Sequence, residues 1–124
     1  MTQNPSKFLI IEDDKFLAKM LSKTFEDNGY QTTLASSGSE GLTKSESETF
    51  NLILLDIMLG DVDGFEVLQK IRASDKNKKT PVIILSNLGQ PEDIERGRKL
   101  GASDYLVKSD LSLDSVVATA RKYL

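Results

Sequence analysis

The feature that most restricts the fold of this 124-residue chain is a series of short, largely apolar runs, each followed by a polar side chain. The clearest runs cover residues 8–11, 51–55, 82–85 and 104–107. Runs this short that stay apolar are typical of parallel strands buried on both faces. Stretches with helical spacing of apolar residues separate them. The alternation predicts an α/β domain whose parallel sheet is covered by helices on both faces.

The connecting stretches predict five helices and one further strand. Residues 15–28 form the first helix, ended by Gly29, with an inward stripe made of Phe16, Leu17, Met20, Leu21 and Phe25. Residues 31–35 suit an edge strand. A capping box from Ser37 to Glu40 begins a short second helix. Further helices are predicted over 65–73, after Pro91, and around the apolar residues Leu113, Val116, Val117, Ala120 and Leu124.

The residues that follow the strands are the candidate functional residues. Glu12 and Asp13 follow the first strand, and Asp56, Ser86 and Lys108 follow the third, fourth and fifth. Ligands of open parallel sheets bind beyond the carboxyl ends of the strands. We therefore expect these side chains to share one crevice. Two carboxylates about 5 Å apart repel by roughly 3 kcal/mol at an effective dielectric constant near 20, so the cluster favours a divalent cation.

The residue types that are absent narrow the chemistry of this crevice. The chain has no cysteine and no histidine, which excludes thiolate chemistry, Cys/His zinc sites and histidine-based triads. A metal must then be bound by oxygen ligands, which suits Mg²⁺. A cation, a lysine and a hydroxyl around one carboxylate suit phosphoryl transfer. Asp56 is the candidate nucleophile, because aspartate can form an acyl phosphate.

The charge and the first residues bear on partners and location. Sixteen basic and nineteen acidic residues give a net charge of −3, so we expect no general binding to nucleic acid or anionic membranes. The apolar runs are too short to span a membrane, and residues 1–6 lack the apolar core of a signal peptide. We predict a cytoplasmic protein with an N-terminal tail over residues 1–6 and one domain over residues 7–124.

Taken in order, the motifs of the chain resemble those of a known family. They are the pair ED at 12–13, LLD at 54–56 followed by DG at 63–64, serine at 86, and GASDYLVK at 101–108. Together they resemble the receiver domain of two-component response regulators, the chemotaxis-regulator-like family, over essentially residues 7–124. The resemblance implies a flavodoxin-like, doubly wound fold with a five-stranded parallel sheet of order 2-1-3-4-5 and five helices.

The resemblance also implies roles for the candidate residues. Asp56 would accept a phosphoryl group, Ser86 would be the switch hydroxyl, and Lys108 would bind the phosphate. Tyr105 would be an aromatic switch that turns inward when Ser86 moves.

The same resemblance implies a Mg²⁺ site. Asp13, Asp56 and the backbone carbonyl of Met58 would bind the ion directly, and Glu12 would reach it through water. Asp14 falls one position beyond the acidic pair of the family and is not counted among the Mg²⁺ ligands.

Two positions depart from the family pattern. Gly60 replaces a usual proline four residues after the acceptor, which loosens the loop that carries Met58. Ser109 replaces the proline that usually follows the lysine through a cis bond. A cis bond without proline costs about 3 kcal/mol. We therefore expect either a trans bond with a rearranged loop or a strained cis bond.

The function implied by the resemblance is a phosphorelay switch and not an enzyme that turns over external substrates. The phosphoryl donor would be a histidine kinase or a histidine phosphotransfer protein. Because the chain has no histidine of its own, the donor must be another protein or a small acyl phosphate. Its output would be a protein target or a phosphorylation-dependent dimer, with no direct contact to nucleic acid or membrane. No output domain follows Leu124, which predicts a stand-alone receiver or an excised piece of a longer chain.

Three other functions are weighed against this one. A haloacid-dehalogenase-type phosphatase needs an aspartate two residues after the nucleophile, where this chain has Met58. A degenerate receiver that binds partners without phosphorylation is supported only by Gly60 and Ser109. Flavin binding on the same fold is disfavoured, because the chain has no tryptophan and no Ser/Thr-rich phosphate loop after the first strand.

Overall fold

The computed structural model describes residues 6–124, which form five strands, five α-helices and one 3₁₀ helix. The predicted tail over residues 1–6 lies outside the described residues except for Ser6. In chain order the elements are β1 (Lys7–Ile11), α1 (Lys15–Asp27), β2 (Gln31–Ala35), α2 (Gly38–Ser47), β3 (Leu52–Leu55), α3 (Gly64–Ala73), β4 (Val82–Ser86), α4 (Pro91–Lys99), β5 (Asp104–Val107), the 3₁₀ helix (Lys108–Asp110) and α5 (Leu113–Arg121).

The sheet is parallel throughout, with strand order β2-β1-β3-β4-β5. This order and the alternation of strands with helices confirm the predicted flavodoxin-like fold. β2 lies at an edge, as its weaker apolar pattern predicted. Among the described residues, no helix is both long enough and apolar enough to cross a membrane.

Two hydrophobic cores lie on opposite faces of the sheet, because successive strand residues point to opposite sides. On one face, Leu9 and Ile11 of β1 pack with α3, whose inward side chains include Leu68. On the other face, Phe8 and Ile10 pack with α1 and α5. The apolar runs of the central strands, residues 8–11, 52–55 and 82–85, are therefore buried on both faces of the sheet, as the sequence predicted.

The predicted inward stripe of α1 is partly wrong. Phe16 is 74% exposed and Met20 is 37% exposed, whereas Leu21 and Phe25 are buried. The reason is helical geometry: nine residues make about two and a half turns, so Phe16 lies opposite Phe25. Ala18 takes a buried place on the inward face instead.

Two smaller predictions also need correction. The Ser37 hydroxyl accepts a hydrogen bond from the Glu40 amide, but the Glu40 carboxylate accepts from Ser36 and not from Ser37, so the capping box is incomplete. Leu124 is one of the apolar residues that predict the last helix. It lies beyond the end of α5 at Arg121 and is 49% exposed.

Candidate functional site

The carboxyl ends of the strands bring the predicted residues to one edge of the sheet. Glu12 follows β1 directly, and Asp56 follows β3, its neighbour in the sheet. The Asp56 amide donates to the carbonyl of Ile11 at 2.9 Å, which continues the pairing of these strands. Ser86 is the last residue of β4, and Lys108 begins the 3₁₀ helix after β5. The common direction of the parallel strands thus brings the four residues to one edge of the sheet.

Three carboxylates meet at this edge. One carboxylate oxygen each of Glu12, Asp13 and Asp56 lies within 4.8 Å of the other two. Glu12 is 2% exposed and Asp56 is 4% exposed, while Asp13 is exposed to solvent. Two buried carboxylates and one exposed one thus form a cluster that is open on one side.

Lys108 supplies positive charge to this cluster. Its Nζ lies 2.7 Å from Glu12 Oε1 and 3.1 Å from Asp56 Oδ2. The peptide bond between Lys108 and Ser109 is trans, and the chain turns into a 3₁₀ helix immediately after β5. Of the two arrangements expected for a lysine without a following proline, the structure has the trans bond with a rearranged loop. This loop still delivers the ammonium group to the carboxylates.

The electrostatics of the site follow from burial and crowding. Burial raises the pKa of Glu12 to about 7, and the negative charge of Asp56 adds to this effect, while Lys108 opposes it. Burial disfavours the charged form of Lys108, but its contacts with Glu12 and Asp56 outweigh burial and raise the pKa of this lysine. One ammonium therefore does not fully compensate three carboxylates.

These residues fit a divalent cation. All three carboxylates offer hard oxygen ligands, and their oxygens are close enough together to surround one ion. Burial is the main reason that the pKa of Glu12 is raised, and a cation bound beside this buried carboxylate would favour its charged form. The open side at Asp13 gives an ion access from solvent.

The loop after β3, residues 57–63, is held close to Asp56. The Met58 amide donates to Asp56 Oδ1 at 3.1 Å, and Met58 pairs with Asp63 across the loop. The Gly64 amide donates to the Ile57 carbonyl at 2.9 Å. Asp63 also caps α3, because its carboxylate accepts from the Phe65 amide at 2.9 Å. The two ends of the loop are therefore held together at the base.

Gly64 permits this close approach, and alanine at position 64 is expected to disrupt it. A Cβ atom there would lie 2.4 Å from Ile57 Cα and 2.6 Å from the Asp56 carbonyl oxygen, and backbone atoms cannot yield as a flexible side chain can. We expect Gly64→Ala to lower the free energy of unfolding by about 1–3 kcal/mol, measured by urea denaturation.

Gly60→Ala is the matched control in the same loop. A Cβ at Gly60 meets nothing within 4 Å, and the backbone there is outside the positive-φ region. We expect this variant to gain about 0.4–1 kcal/mol, because alanine lowers the entropy of the unfolded chain. Equal stability losses in the two variants would contradict the assignment of a steric role to Gly64.

Ser86 and Tyr105 are connected through the backbone of Leu88. The Leu88 amide donates to Ser86 Oγ at 3.1 Å, and the Tyr105 hydroxyl donates to the Leu88 carbonyl. Ser86 is fully buried, and the half-buried ring of Tyr105 faces Gly97 of α4. Burial raises the pKa of Tyr105. A change at the Ser86 hydroxyl can therefore reach the Tyr105 side chain through one residue.

One residue beside the site, Asp61, belongs to none of the sequence motifs. Asp61, in the loop after β3, accepts hydrogen bonds from the amides of Gly38 and Ser39 at 3.0 Å each. These amides bond to the Asp61 side chain and lower its pKa to about 2. No local pattern could have revealed this contact, because its partners lie more than twenty positions away in the chain.

The family model and the curated relatives that match this chain agree on one family. The model of the response regulator receiver domain matches residues 8–120. Response regulator ArlR of Staphylococcus saprophyticus is 35% identical over 119 residues, which cover 96% of this chain and 52% of ArlR. The transcriptional regulatory protein CusR of Escherichia coli is 39% identical over 102 residues, which cover 82% of this chain and 44% of CusR. The chain spans about half the length of these curated relatives.

Solved structures agree with the fold over nearly the whole chain. The chemotaxis protein CheY4 of Vibrio cholerae superposes with a TM-score of 0.91 at 29% identity, covering 98% of this chain and 100% of CheY4. The receiver domain of the Francisella response regulator 1452 superposes with a TM-score of 0.87 at 36% identity, covering 95% of each chain. The similarity therefore extends over both cores and all of the strand ends described above.

Proposed function

The chain belongs to the response regulator receiver domain family, and from this premise we propose that Asp56 accepts a phosphoryl group in a Mg²⁺-dependent reaction. The observation that carries the proposal is the juxtaposition of a nearly buried Asp56 carboxylate with Lys108 and two further carboxylates. In the reaction, a carboxylate oxygen of Asp56 forms a bond to phosphorus. The bond from phosphorus to the donor breaks, and the leaving group keeps the electron pair.

The chain's own residues orient the acceptor for this reaction. The Met58 amide holds one oxygen of Asp56, and the Lys108 ammonium lies beside the other. These contacts limit rotation of the carboxylate and favour an in-line approach of the donor. Lys108 can then move its contact from the carboxylate to an oxygen of the phosphoryl group, where negative charge accumulates.

Asp13, Asp56 and the Met58 carbonyl would hold the Mg²⁺ ion, with Glu12 reaching it through water. When bound, the ion neutralises charge on the phosphoryl oxygens. Without it, the three carboxylates repel an anionic donor, so labelling requires the ion. Burial raises the pKa of Glu12 to about 7, and the charge of Asp56 adds to this effect, so a cation beside these carboxylates would favour the charged form of Glu12.

We propose a histidine kinase or a histidine phosphotransfer protein as the physiological donor. The chain has no histidine of its own, so a phosphohistidine must come from another protein. Phe16, two residues into α1, is 74% exposed, and Met58 is 57% exposed. Both follow acidic site residues closely in the chain, so these apolar side chains provide a contact surface beside the acceptor for a protein donor.

The output of the reaction is a change in a protein-binding surface. A phosphoryl group adds about two negative charges at Asp56. The Ser86 hydroxyl can move to donate a hydrogen bond to that group, and this movement removes the acceptor of the Leu88 amide. The backbone of Leu88 is then free to shift, and its carbonyl carries the hydrogen bond from Tyr105, so Tyr105 can repack beside α4. The acidic net charge of −3 favours protein targets or a second copy over nucleic acid. The chain acts as a switch and does not turn over external substrates.

Intact-mass spectrometry after incubation with acetyl phosphate and Mg²⁺ tests this function. We expect one phosphoryl adduct that is sensitive to hydroxylamine, as acyl phosphates are, and that is absent when EDTA removes the ion. An autophosphorylated histidine kinase should give the same adduct. A chain that neither binds Mg²⁺ nor becomes labelled would support the alternative, a degenerate receiver that binds its partners without phosphorylation. Hydrolysis of p-nitrophenyl phosphate with repeated turnover would instead support a phosphatase.

A further inference from the structure

The loop after β3 carries Met58, a proposed Mg²⁺ ligand, but it lacks the proline that would stiffen it. Gly60 occupies that position, and its surroundings are open, because a Cβ there would meet no atom within 4 Å. The base of the loop is held together by a hydrogen bond from the Gly64 amide to the Ile57 carbonyl. The middle of the loop therefore needs another support if Met58 is to keep a fixed position.

Asp61 provides a support on one side of the loop. Its Oδ1 accepts from the Gly38 amide and its Oδ2 accepts from the Ser39 amide, each at 3.0 Å. These are first-turn amides of α2, which have no acceptor within their own helix. The Ser37 hydroxyl accepts a hydrogen bond from the Glu40 amide instead. Asp61 and Ser37 therefore accept from different amides at the N-terminus of α2. Asp61 thus joins the loop to a helix by two bonds at once.

The neighbouring residue reinforces this attachment. A Cβ placed on Gly38 would lie 2.1 Å from Val62 Cγ2 and 3.2 Å from Val67 Cγ2, so the start of α2 packs directly against the loop. Only glycine allows this distance at position 38. Two successive loop residues, Asp61 and Val62, therefore contact α2. The loop is thus held at its base, by the hydrogen bond between Gly64 and Ile57, and in its middle, by the contacts with α2. Met58 lies between these two attachments.

We propose that Asp61 is a positioning residue for the Mg²⁺ site: its bonds to the N-terminus of α2 hold the loop so that the Met58 carbonyl faces the ion. Asp61 does not belong to the acidic cluster and touches no proposed ligand. It acts only through the backbone of the loop. The proposal rests on the proposed function, since it requires that Mg²⁺ binds at Asp13, Asp56 and Met58.

The test compares two variants that both remove an acceptor from the N-terminus of α2. Asp61→Ala removes the acceptor that belongs to the loop, and Ser37→Ala removes the acceptor that belongs to the helix. Mg²⁺ affinity is measured by titration calorimetry on the full chain, and stability by the urea midpoint. Loss of a residue that orients a metal ligand typically costs 10–100-fold in affinity. We expect the Kd for Mg²⁺ to rise about tenfold in Asp61→Ala and to stay within about twofold in Ser37→Ala, although both lower the urea midpoint.

A second variant and a second measurement keep the test decisive if Asp61→Ala folds poorly. Asp61→Asn retains one acceptor oxygen, and we expect an affinity between those of the wild type and Asp61→Ala. In the metal-free protein, hydrogen exchange at the Met58 and Gly64 amides should accelerate in the Asp61 variants and not in Ser37→Ala.

The outcomes separate the inference from the function on which it rests. If the wild type binds Mg²⁺ and the Asp61 variants bind it equally well, the inference is overturned and the proposed function stands. If Ser37→Ala weakens Mg²⁺ binding as much as Asp61→Ala, general loss of helix stability explains the effect, and the inference is again overturned. A wild-type chain that does not bind Mg²⁺ overturns both.

Discussion

Asp56→Asn is expected to abolish phosphoryl labelling by acetyl phosphate completely. Asparagine keeps the shape of the side chain and can still accept a hydrogen bond from the Met58 amide. It lacks the anionic oxygen that forms the acyl phosphate, and its amide nitrogen is not nucleophilic. The measurement is intact mass after incubation with Mg²⁺ and acetyl phosphate. An adduct of unchanged yield in the variant would place the acceptor elsewhere.

Asp14→Asn is the matched control for this experiment. Asp14 is exposed and caps α1, accepting from the amides of Phe16 and Leu17 at 3.1 Å each. Asparagine caps helices about as well as aspartate, so this variant changes one charge near the site and little else. We expect labelling to be retained. Loss of labelling in Asp14→Asn would mean that the acidic run after β1 acts as a whole and that excluding Asp14 was wrong.

Lys108→Met is expected to cause the largest loss of stability among single changes at the site when no divalent cation is present. The variant leaves Glu12 and Asp56, both nearly buried, without the ammonium that lies 2.7 Å and 3.1 Å from them. Removing one partner of a buried ion pair costs about 3–5 kcal/mol. Because the Lys108 side chain is 16% exposed, we expect about 2–3 kcal/mol, measured by urea denaturation in EDTA. Added Mg²⁺ should restore part of the lost free energy of unfolding.

Lys23→Met gives the comparison for an ion pair in solvent. Lys23 lies 3.0 Å from Asp27, as close as the pairs at the site, but the two side chains are 77% and 63% exposed. Exposed pairs contribute little, so we expect a change below about 0.5 kcal/mol that does not respond to Mg²⁺. Similar losses in the two lysine variants, or no effect of Mg²⁺ on Lys108→Met, would contradict the role assigned to Lys108.

The strand ends could be predicted from the sequence because they follow from a local rule. A strand buried on both faces must be apolar throughout, so the first polar residue marks its end, and parallel strands end at one edge. Asp56 and Ser86 were located in this way. The place of Lys108 depended on the path of the chain after β5, and the choice between a cis and a trans bond to Ser109 could not be made without the tertiary structure.

The outward position of Phe16 was missed although helical geometry could have revealed it. A count of 3.6 residues per turn separates Phe16 and Met20 from the face that contains Leu21 and Phe25. The single stripe predicted for α1 does not take these angles into account. Phe16 and Met20 are exposed instead, and Phe16 is one of the two side chains, with Met58, that we propose as the contact surface for the phosphoryl donor.

Periodicity and the polar ends of the apolar runs were enough to predict an α/β domain with a parallel sheet, the edge of the sheet that carries the site and the acidic cluster itself, while the strand order was predicted from the family resemblance. These features depend on interactions that every strand or helix of such a fold must satisfy. The support of the Met58 loop by Asp61 was decided only by the tertiary structure. It joins Asp61 to amides more than twenty positions earlier, and a hydrogen bond of that kind depends on where two elements meet in space and not on any local pattern.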